Sequence, residues 1–316
     1  ADVAGGAAAA PFGGMVNTQR QRGRGAENSL TMRLYIKNRQ SSWCVVLFLL
    51  CLLARCVEYF GLRTDQTLLG ENILHKVFGI AALAVLLKMA GHPWNDIGFR
   101  KERRIENLQK GLLLGGLCFA VSYGVELALL AAQGVPARLE LYVSGFSLTG
   151  ASAKNQGTTF FLLCLFVNLV NVWMEEGIFR GLFIKAFAAR WSFRVSNLVA
   201  AALFGVWHLV MPLRSYLDGE MTFGAMVGMG CGYLVLSGLM GVKWGLLYRG
   251  TGSLWAGIGD HLFNNTIATN MLYVVTANGA DEWQILRVLL AQLLSFGLVW
   301  ILYRQKGRRE KASGGG

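Results

Sequence analysis

The sequence predicts an all-α polytopic membrane protein, a bundle of about eight transmembrane helices with both termini cytoplasmic. Three observations predict it. Of 316 residues, 54% are hydrophobic and only 15% charged, against about 25% charged in soluble domains, and the mean hydropathy is +0.43. Apolar runs long enough to cross a hydrocarbon core of roughly 30 Å recur along the chain. Basic residues gather in alternate connections between those runs, the pattern of the positive-inside rule.

Taken in order, residues 1–40 read as a basic N-terminal tail, disordered or foreign to the natural chain, opening on a low-complexity Ala/Gly stretch with Met15 and Met32 as alternative natural starts. No cleavable signal peptide is evident in it. A transmembrane domain is expected over 41–305, with spans near 42–61, 72–91, 108–132, 159–187, 195–213, 222–247, 252–276 and 284–304, each bounded to within a few residues. The first holds Arg55 and Glu58, which pair at i,i+3 or face the bundle. The fourth exceeds what a bilayer needs and is expected to tilt or project. The sixth carries Gly224, Gly228 and Gly232 at four-residue spacing, with Gly241 and Gly245 after, a small-residue face expected to pack inside the bundle rather than to form a dimer seam. Residues 306–316 read as a basic C-terminal tail ending in a linker.

The six cysteines (Cys44, Cys51, Cys56, Cys118, Cys164 and Cys231) show no CxxC spacing and read as buried thiols. The net charge of +12 is accounted for by topology and by attraction to anionic lipids of the cytoplasmic leaflet. Nucleic acid is excluded as a partner, because no basic aromatic motif accompanies the charge. Compact loops point to a multi-pass protein of a bacterial cytoplasmic membrane.

The chemistry lies where polar groups interrupt the apolar runs. Glu175, Glu176 and Arg180 sit inside the fourth span, where each ionisable group costs about 2.5–3.5 kcal/mol on insertion scales and marks a working site. His208 and His261 sit inside the fifth and seventh. At 1.5 Å per residue all three positions lie roughly 15–20 Å from the cytoplasmic edge, so three helices bring polar groups to one level. Glu176 and Arg180 share a helix face at i,i+4, with Glu175 turned about 100° from it. His261 and Asn265 present an imidazole and an amide side by side, and Phe204 walls the site one turn before His208.

Each element also has a structural reading. Glu176–Arg180 alone suits a structural pair, and Asn168, Asn171, Asn264, Asn265 and Asn270 suit interhelical hydrogen bonds. Glu126, Lys88 and His75 have no evident partner, and Asp260 faces away from His261. No serine or cysteine stands beside either histidine, which disfavours a covalent nucleophile, and no aspartate pair is present. Glu175, His208 and His261 would form the His₂Glu set of a catalytic zinc, although HExxH is absent and Asn265 is a poor zinc ligand.

Glu175-Glu176-x-x-x-Arg180, Phe204-x-x-x-His208 and His261-x-x-x-Asn265 resemble, in order and spacing, the three motifs of the CPBP intramembrane proteases, which include type II CAAX prenyl endopeptidases and bacteriocin-processing or self-immunity proteins. Trp94-Asn95-Asp96-Ile97-Gly98-Phe99 resembles a further short segment of that family. The resemblance implies eight transmembrane helices around a cavity open to the cytoplasm. It implies Glu175 as the general base activating water with help from His208, and His261 and Asn265 as oxyanion donors. Glu176 and Arg180 would position these groups. The implied substrate is a peptide or lipidated protein, cut at a CAAX-type terminus, a leader peptide or a membrane-associated segment. A glutamate-dependent mechanism is favoured, with zinc as its alternative and no cofactor assigned. A non-catalytic membrane immunity or binding protein is the competing reading. A proton-coupled transporter is less favoured, since no internal repeat is visible.

Overall fold

The computed structural model describes residues 40–66, 71–144 and 154–313. The expected tail over 1–39 and the end of the linker, 314–316, lie outside the described residues. Helices dominate: α1 (Gln40–Cys56), α2 (Leu74–Ala90), α3 (Arg104–Ala132), α4 (Thr158–Glu175), α5 (Ile184–Ala188), α6 (Phe193–Trp207), α7 (Val210–Leu217), α8 (Phe223–Thr251), α9 (Trp255–Phe263) and α10 (Gln284–Ser313). The strands β1 (Arg138–Leu141) and β2 (Leu272–Val275) pair antiparallel, with Arg138 opposite Val275. Six segments are long and apolar enough to cross a membrane: Ser41–Gln66, Arg104–Ala132, Thr158–Ala188, Phe193–Leu217, Phe223–Thr251 and Gln284–Arg308. The protein is therefore an all-α polytopic membrane protein.

The two remaining expected spans fold differently. The run near 72–91 becomes α2, of 17 residues, closed by Gly91 in the left-handed region (φ 72°). The run over 252–276 is not one helix. It is α9 followed by a π-helical turn, Asn264–Ala268, and then β2. The side chains of Thr269 and Asn270 donate to the carbonyls of Asn264 and Asn265 at 2.6 and 2.5 Å, in competition with helix continuation. The β-branched and aromatic run Tyr273-Val274-Val275 then suits a strand. Helix starts are local: the Ser192 and Thr222 side chains accept from Val195 N and Ala225 N, capping α6 and α8.

The core surrounds the end of α4. Leu83, Val172, Met174, Ile178, Phe179, Phe183, Phe204, Trp207 and Trp244 are buried there together. Outward-facing residues such as Leu113, Leu117 and Val121 of α3 are more than half exposed, as expected of a surface whose solvent is lipid. The glycine expectation holds for Gly241 and Gly245 and is corrected for the other three. Added Cβ atoms on Gly224, Gly228 and Gly232 would meet nothing within 4 Å, so these residues do not pack in the bundle. Close packing uses the other half of α8: a Cβ on Gly241 would come 2.9 Å from Ala201 of α6, and Gly245 lies against Asn197. The four-residue spacing is identical in both halves; only in the second half does the glycine face meet a neighbouring helix. Two cysteines depart from the buried reading, Cys56 being half-buried and Cys231 exposed on α8, where a lipid-facing thiol needs no protein cover.

Polar residues that looked isolated are paired. Glu126 of α3 accepts from Arg287 of α10 at 2.6 Å. Glu58 does not pair with Arg55: it meets His75 of α2 at 2.5 Å and also accepts from the Thr64 hydroxyl and the Leu74 amide. Asp260 meets Lys243 at 2.5 Å. Partners at such long sequence separation leave no local signature. At one end of the bundle Arg63 meets Asp218 at 2.5 Å and Arg214 meets Asp65 at 3.0 Å, tying the end of α1 to α7.

Candidate active site in the helix bundle

Glu175 ends α4, and the chain winds directly into a π-helical segment, Glu176–Phe183. A π-turn widens the helix and re-aims consecutive side chains, and such bulges gather at functional sites. Here it places two adjacent glutamates against one histidine. Glu175 Oε2 lies 3.5 Å from His261 Nε2, and Glu176 Oε1 lies 3.0 Å from His261 Nδ1. His261 thus bridges both carboxylates. It is held flat by Trp244, stacked at 3.8 Å with 15° between the rings.

Glu175 is 2% exposed and is pinned from two sides. Its Oε1 accepts from Trp207 Nε1 at 2.9 Å, and its Oε2 accepts from Asn171 Nδ2 at 3.4 Å. His208 caps α6. Its Nδ1–H donates to the Phe204 carbonyl at 2.8 Å, which leaves Nε2 as the ring nitrogen not engaged by that bond. The imidazole is close enough to Glu175 to interact with it electrostatically. It is half-buried, unlike the fully buried Glu175 and His261. Phe204 stands between the two histidines, 4.6 Å from the His208 ring and 6.2 Å from the His261 ring.

Arg180 lies at the same level, 3.6 Å from Glu176. Its guanidinium rests on Phe204 at 3.9 Å and on Trp244 at 4.8 Å. Its two terminal nitrogens and Glu176 Oε2 are buried without hydrogen-bond partners. The pair is therefore a charge contact clamped between aromatic faces.

Asn265 belongs to the π-turn after α9 and is half-buried. Its Oδ1 accepts from Asn264 Nδ2 at 2.8 Å, Asn264 Oδ1 accepts from Gln292 Nε2 at 2.9 Å, and Gln292 Oε1 accepts from Lys243 Nζ at 2.6 Å. Lys243 is in turn neutralised by Asp260, which also accepts from Trp244 Nε1 at 2.7 Å. This buried chain occupies the amide oxygen of Asn265 and leaves its NH₂ as the group free to donate. Asp260 thus does more than bond a neighbour.

The structure brings Glu175, Glu176, Arg180, Phe204, His208 and His261 into one cluster, and sets Asn265 one turn beyond His261. It adds residues the motifs did not reveal: Trp207, Trp244, Asn171 and the Lys243–Gln292 chain. Asn171 was visible as the residue four before Glu175. The tryptophans had no such signal. Among the described residues, no group of three or more His, Cys, Asp or Glu side chains converges closely enough to hold a metal. The conditional set Glu175, His208 and His261 does not fit a zinc ion as it stands, and no step below passes through one.

Residues 157–267 match the family model of the type II CAAX prenyl endopeptidase Rce1-like proteins. The matched segment contains all three motifs, from Glu175 to Asn265, and supports membership of the CPBP proteases. A search of curated proteins finds no match. The matched family is one of CAAX-type endopeptidases, which are membrane hydrolases, and the six apolar helices agree with an integral membrane protein. The Trp94–Phe99 segment lies outside the Rce1-like match. It forms a 3₁₀ turn whose Phe99 stacks on Trp173 at 4.5 Å, two residues before Glu175.

Proposed function

We propose that the protein is an intramembrane endopeptidase in which Glu175 activates water for attack on a peptide carbonyl, within a cavity facing the cytoplasm. The observation that carries this reading is the Glu175–His261–Glu176 bridge, with His208 beside it, set against the apolar core of the bundle. Glu175, fixed by Trp207 and Asn171, is the carboxylate placed to take a proton from water, as a general base must. His208 Nε2 is placed to orient or share that proton. Glu176 fixes the His261 ring through Nδ1 at 3.0 Å, so that His261 together with the Asn265 amide faces the oxyanion as it forms. Such donors are worth roughly 3–4 kcal/mol each in a site closed to bulk water.

The steps balance. Water loses a proton to Glu175 as its oxygen adds to the carbonyl. The tetrahedral intermediate collapses with the C–N bond breaking, and Glu175 returns the proton to the leaving amine. Suitable substrates are peptides or lipidated proteins that reach the bilayer, at CAAX-type termini or leader peptides. Anionic lipids of the cytoplasmic leaflet fit the basic connections, and a bacterial cytoplasmic membrane fits the compact loops. The test is cleavage of a quenched fluorescent peptide library, with and without a farnesylated C-terminus, by purified protein and by Glu175→Ala. Cleavage that disappears in a folded Glu175→Ala protein is expected; full activity in that variant would sink the reading. Each reaction is repeated with a zinc chelator, and resistance is expected.

A further inference from the structure

Arg55 of α1 is the buried cation that the mechanism does not use. It is 4% exposed. The other buried lysines and arginines among the described residues each have a carboxylate within 4 Å: Lys76 with Glu71, Arg180 with Glu176, Lys243 with Asp260, and Arg287 with Glu126 and Asp281. Arg55 has neither a carboxylate nor a hydrogen-bond acceptor among those residues, and its Nε is buried without a partner. The nearest acid along the helix, Glu58, is committed to His75, Thr64 and the Leu74 amide. A buried charge with no carboxylate in contact is costly and persists where it has work to do.

Its placement says what the work is. The guanidinium lies over the Tyr59 ring at 5.0 Å and the Trp207 ring at 4.5 Å. Trp207 is the residue whose Nε1 donates to Glu175 at 2.9 Å, so one indole carries Arg55 on its face and the reactive carboxylate on its edge. Arg55 interacts electrostatically with both Glu175 and His208. A π-helical turn, Val57–Leu62, begins two residues after it. The other two π-turns of the described residues begin at Glu176 and Asn264, next to Glu175 and Asn265. The same local device therefore frames Arg55 and the reacting groups. A stacked guanidinium with unpaired N–H groups is shaped to receive a carboxylate.

We propose that Arg55 binds a carboxylate of the substrate, its free C-terminus, on the leaving side of the scissile bond; the inference rests on the peptidase reading above. The contacts of 4.5 Å and 2.9 Å through Trp207 place this site within a few extended residues of Glu175, at roughly 3.3–3.6 Å per residue. The protein would then be selective for bonds close to a chain end.

The test uses full-length Glu175→Gln protein in nanodiscs, which binds without cutting. The probe is a fluorescein-labelled farnesylated hexapeptide in three forms: a free C-terminus, a C-terminal amide, and an amide whose last residue is glutamate. Fluorescence anisotropy is expected to show the free acid binding about ten- to a hundredfold more tightly than the amide. The preference is expected to vanish in Glu175→Gln/Arg55→Gln and to return in part with Arg55→Lys. Equal rescue by the glutamate form would overturn the assignment to the C-terminus. Equal affinity of acid and amide in the protein that retains Arg55, or binding of none of the three forms, would overturn the whole proposal, and both comparisons hold even where Arg55→Gln fails to fold. Acid preference without cleavage by the wild type would instead defeat the peptidase reading and leave the carboxylate site standing.

Discussion

Replacing Glu176 by glutamine is expected to separate its two duties, which the structure assigns to its two neighbours. Toward Arg180 it is the counter-ion: the residues are 0% and 1% exposed at the side chain and 3.6 Å apart, and no hydrogen bond reaches the terminal nitrogens of Arg180. Removing one member of a buried pair leaves the other charge uncompensated, at about 3–5 kcal/mol. That is a large part of the 5–15 kcal/mol that typically separates folded from unfolded protein. Toward His261 it is the acceptor at Nδ1, 3.0 Å away. A neutral amide oxygen still accepts there but with about half the strength of a carboxylate. With the His261 ring held less firmly in its place beside the oxyanion, the turnover rate is expected to fall about 10²–10³-fold. The double variant Glu176→Gln/Arg180→Met tests the division. It removes the stranded cation and is expected to recover most of the stability, since an apolar replacement of a buried pair is often neutral or better, while its rate stays as low as that of the single variant. Thermal unfolding in detergent reads the first quantity and peptide cleavage the second. Recovery of both stability and rate in the double variant would show that Glu176 is a counter-ion alone and refute its role at His261. An unchanged melting temperature in Glu176→Gln would refute the ion-pair argument itself.

Three further outcomes follow from packing and charge. Gly245→Ala is expected to destabilise by about 1–3 kcal/mol through overpacking, because its Cβ would meet Asn197 Cγ at 2.5 Å, whereas Gly228→Ala, with nothing within 4 Å, is expected to be neutral or to stabilise by up to about 1 kcal/mol; equal effects in thermal unfolding would contradict the placement of α8. Gln292→Met is expected to lower the cleavage rate more than the affinity, since it breaks the chain that fixes the Asn265 amide, and a change confined to KM would count against that chain. The hydrogen bond from Arg63 holds the Asp218 carboxyl below the usual aspartate range. A depressed carboxyl contributes stability that is present above the unfolded value of about 3.9 and lost as pH falls through the folded one, so hydrogen-exchange protection over 210–220, taken relative to the intrinsic exchange rate at each pH, is expected to be flat near neutrality and to fall only below about pH 4.

The reactive residues were legible because a membrane makes polarity conspicuous. Glu175, His208 and His261 stand out from apolar runs, and counting residues from the cytoplasmic ends put them at one depth without any contact being known. The same background concealed their supports. Trp207 and Trp244 are ordinary members of apolar helices until a partner gives their N–H groups a direction, and here the partners are Glu175 and Asp260. His75, Glu126 and Lys243 find their partners 17, 161 and 49 residues away, separations at which helical periodicity carries no information.

The π-turns were hidden for a different reason. Nothing in Glu176–Phe183 differs in composition from an α-helical segment, and the wider turn is set by what each side chain reaches across the bundle. Glu176 must meet His261 while Arg180, four residues on, lies between Phe204 and Trp244. An i,i+4 count could place Glu176 beside Arg180 but gave no hint that the helix would widen to let adjacent glutamates meet both nitrogens of one imidazole. The span over 252–276 failed by the same logic. Its hydropathy is that of a membrane helix, yet Asn264, Asn265, Thr269 and Asn270 use the backbone and one another as partners. The helix is thereby interrupted where an amide must be aimed into the site. In this bundle the departures from regular helix coincide with the residues assigned chemistry, which is the physical reason to extend the same expectation to Arg55.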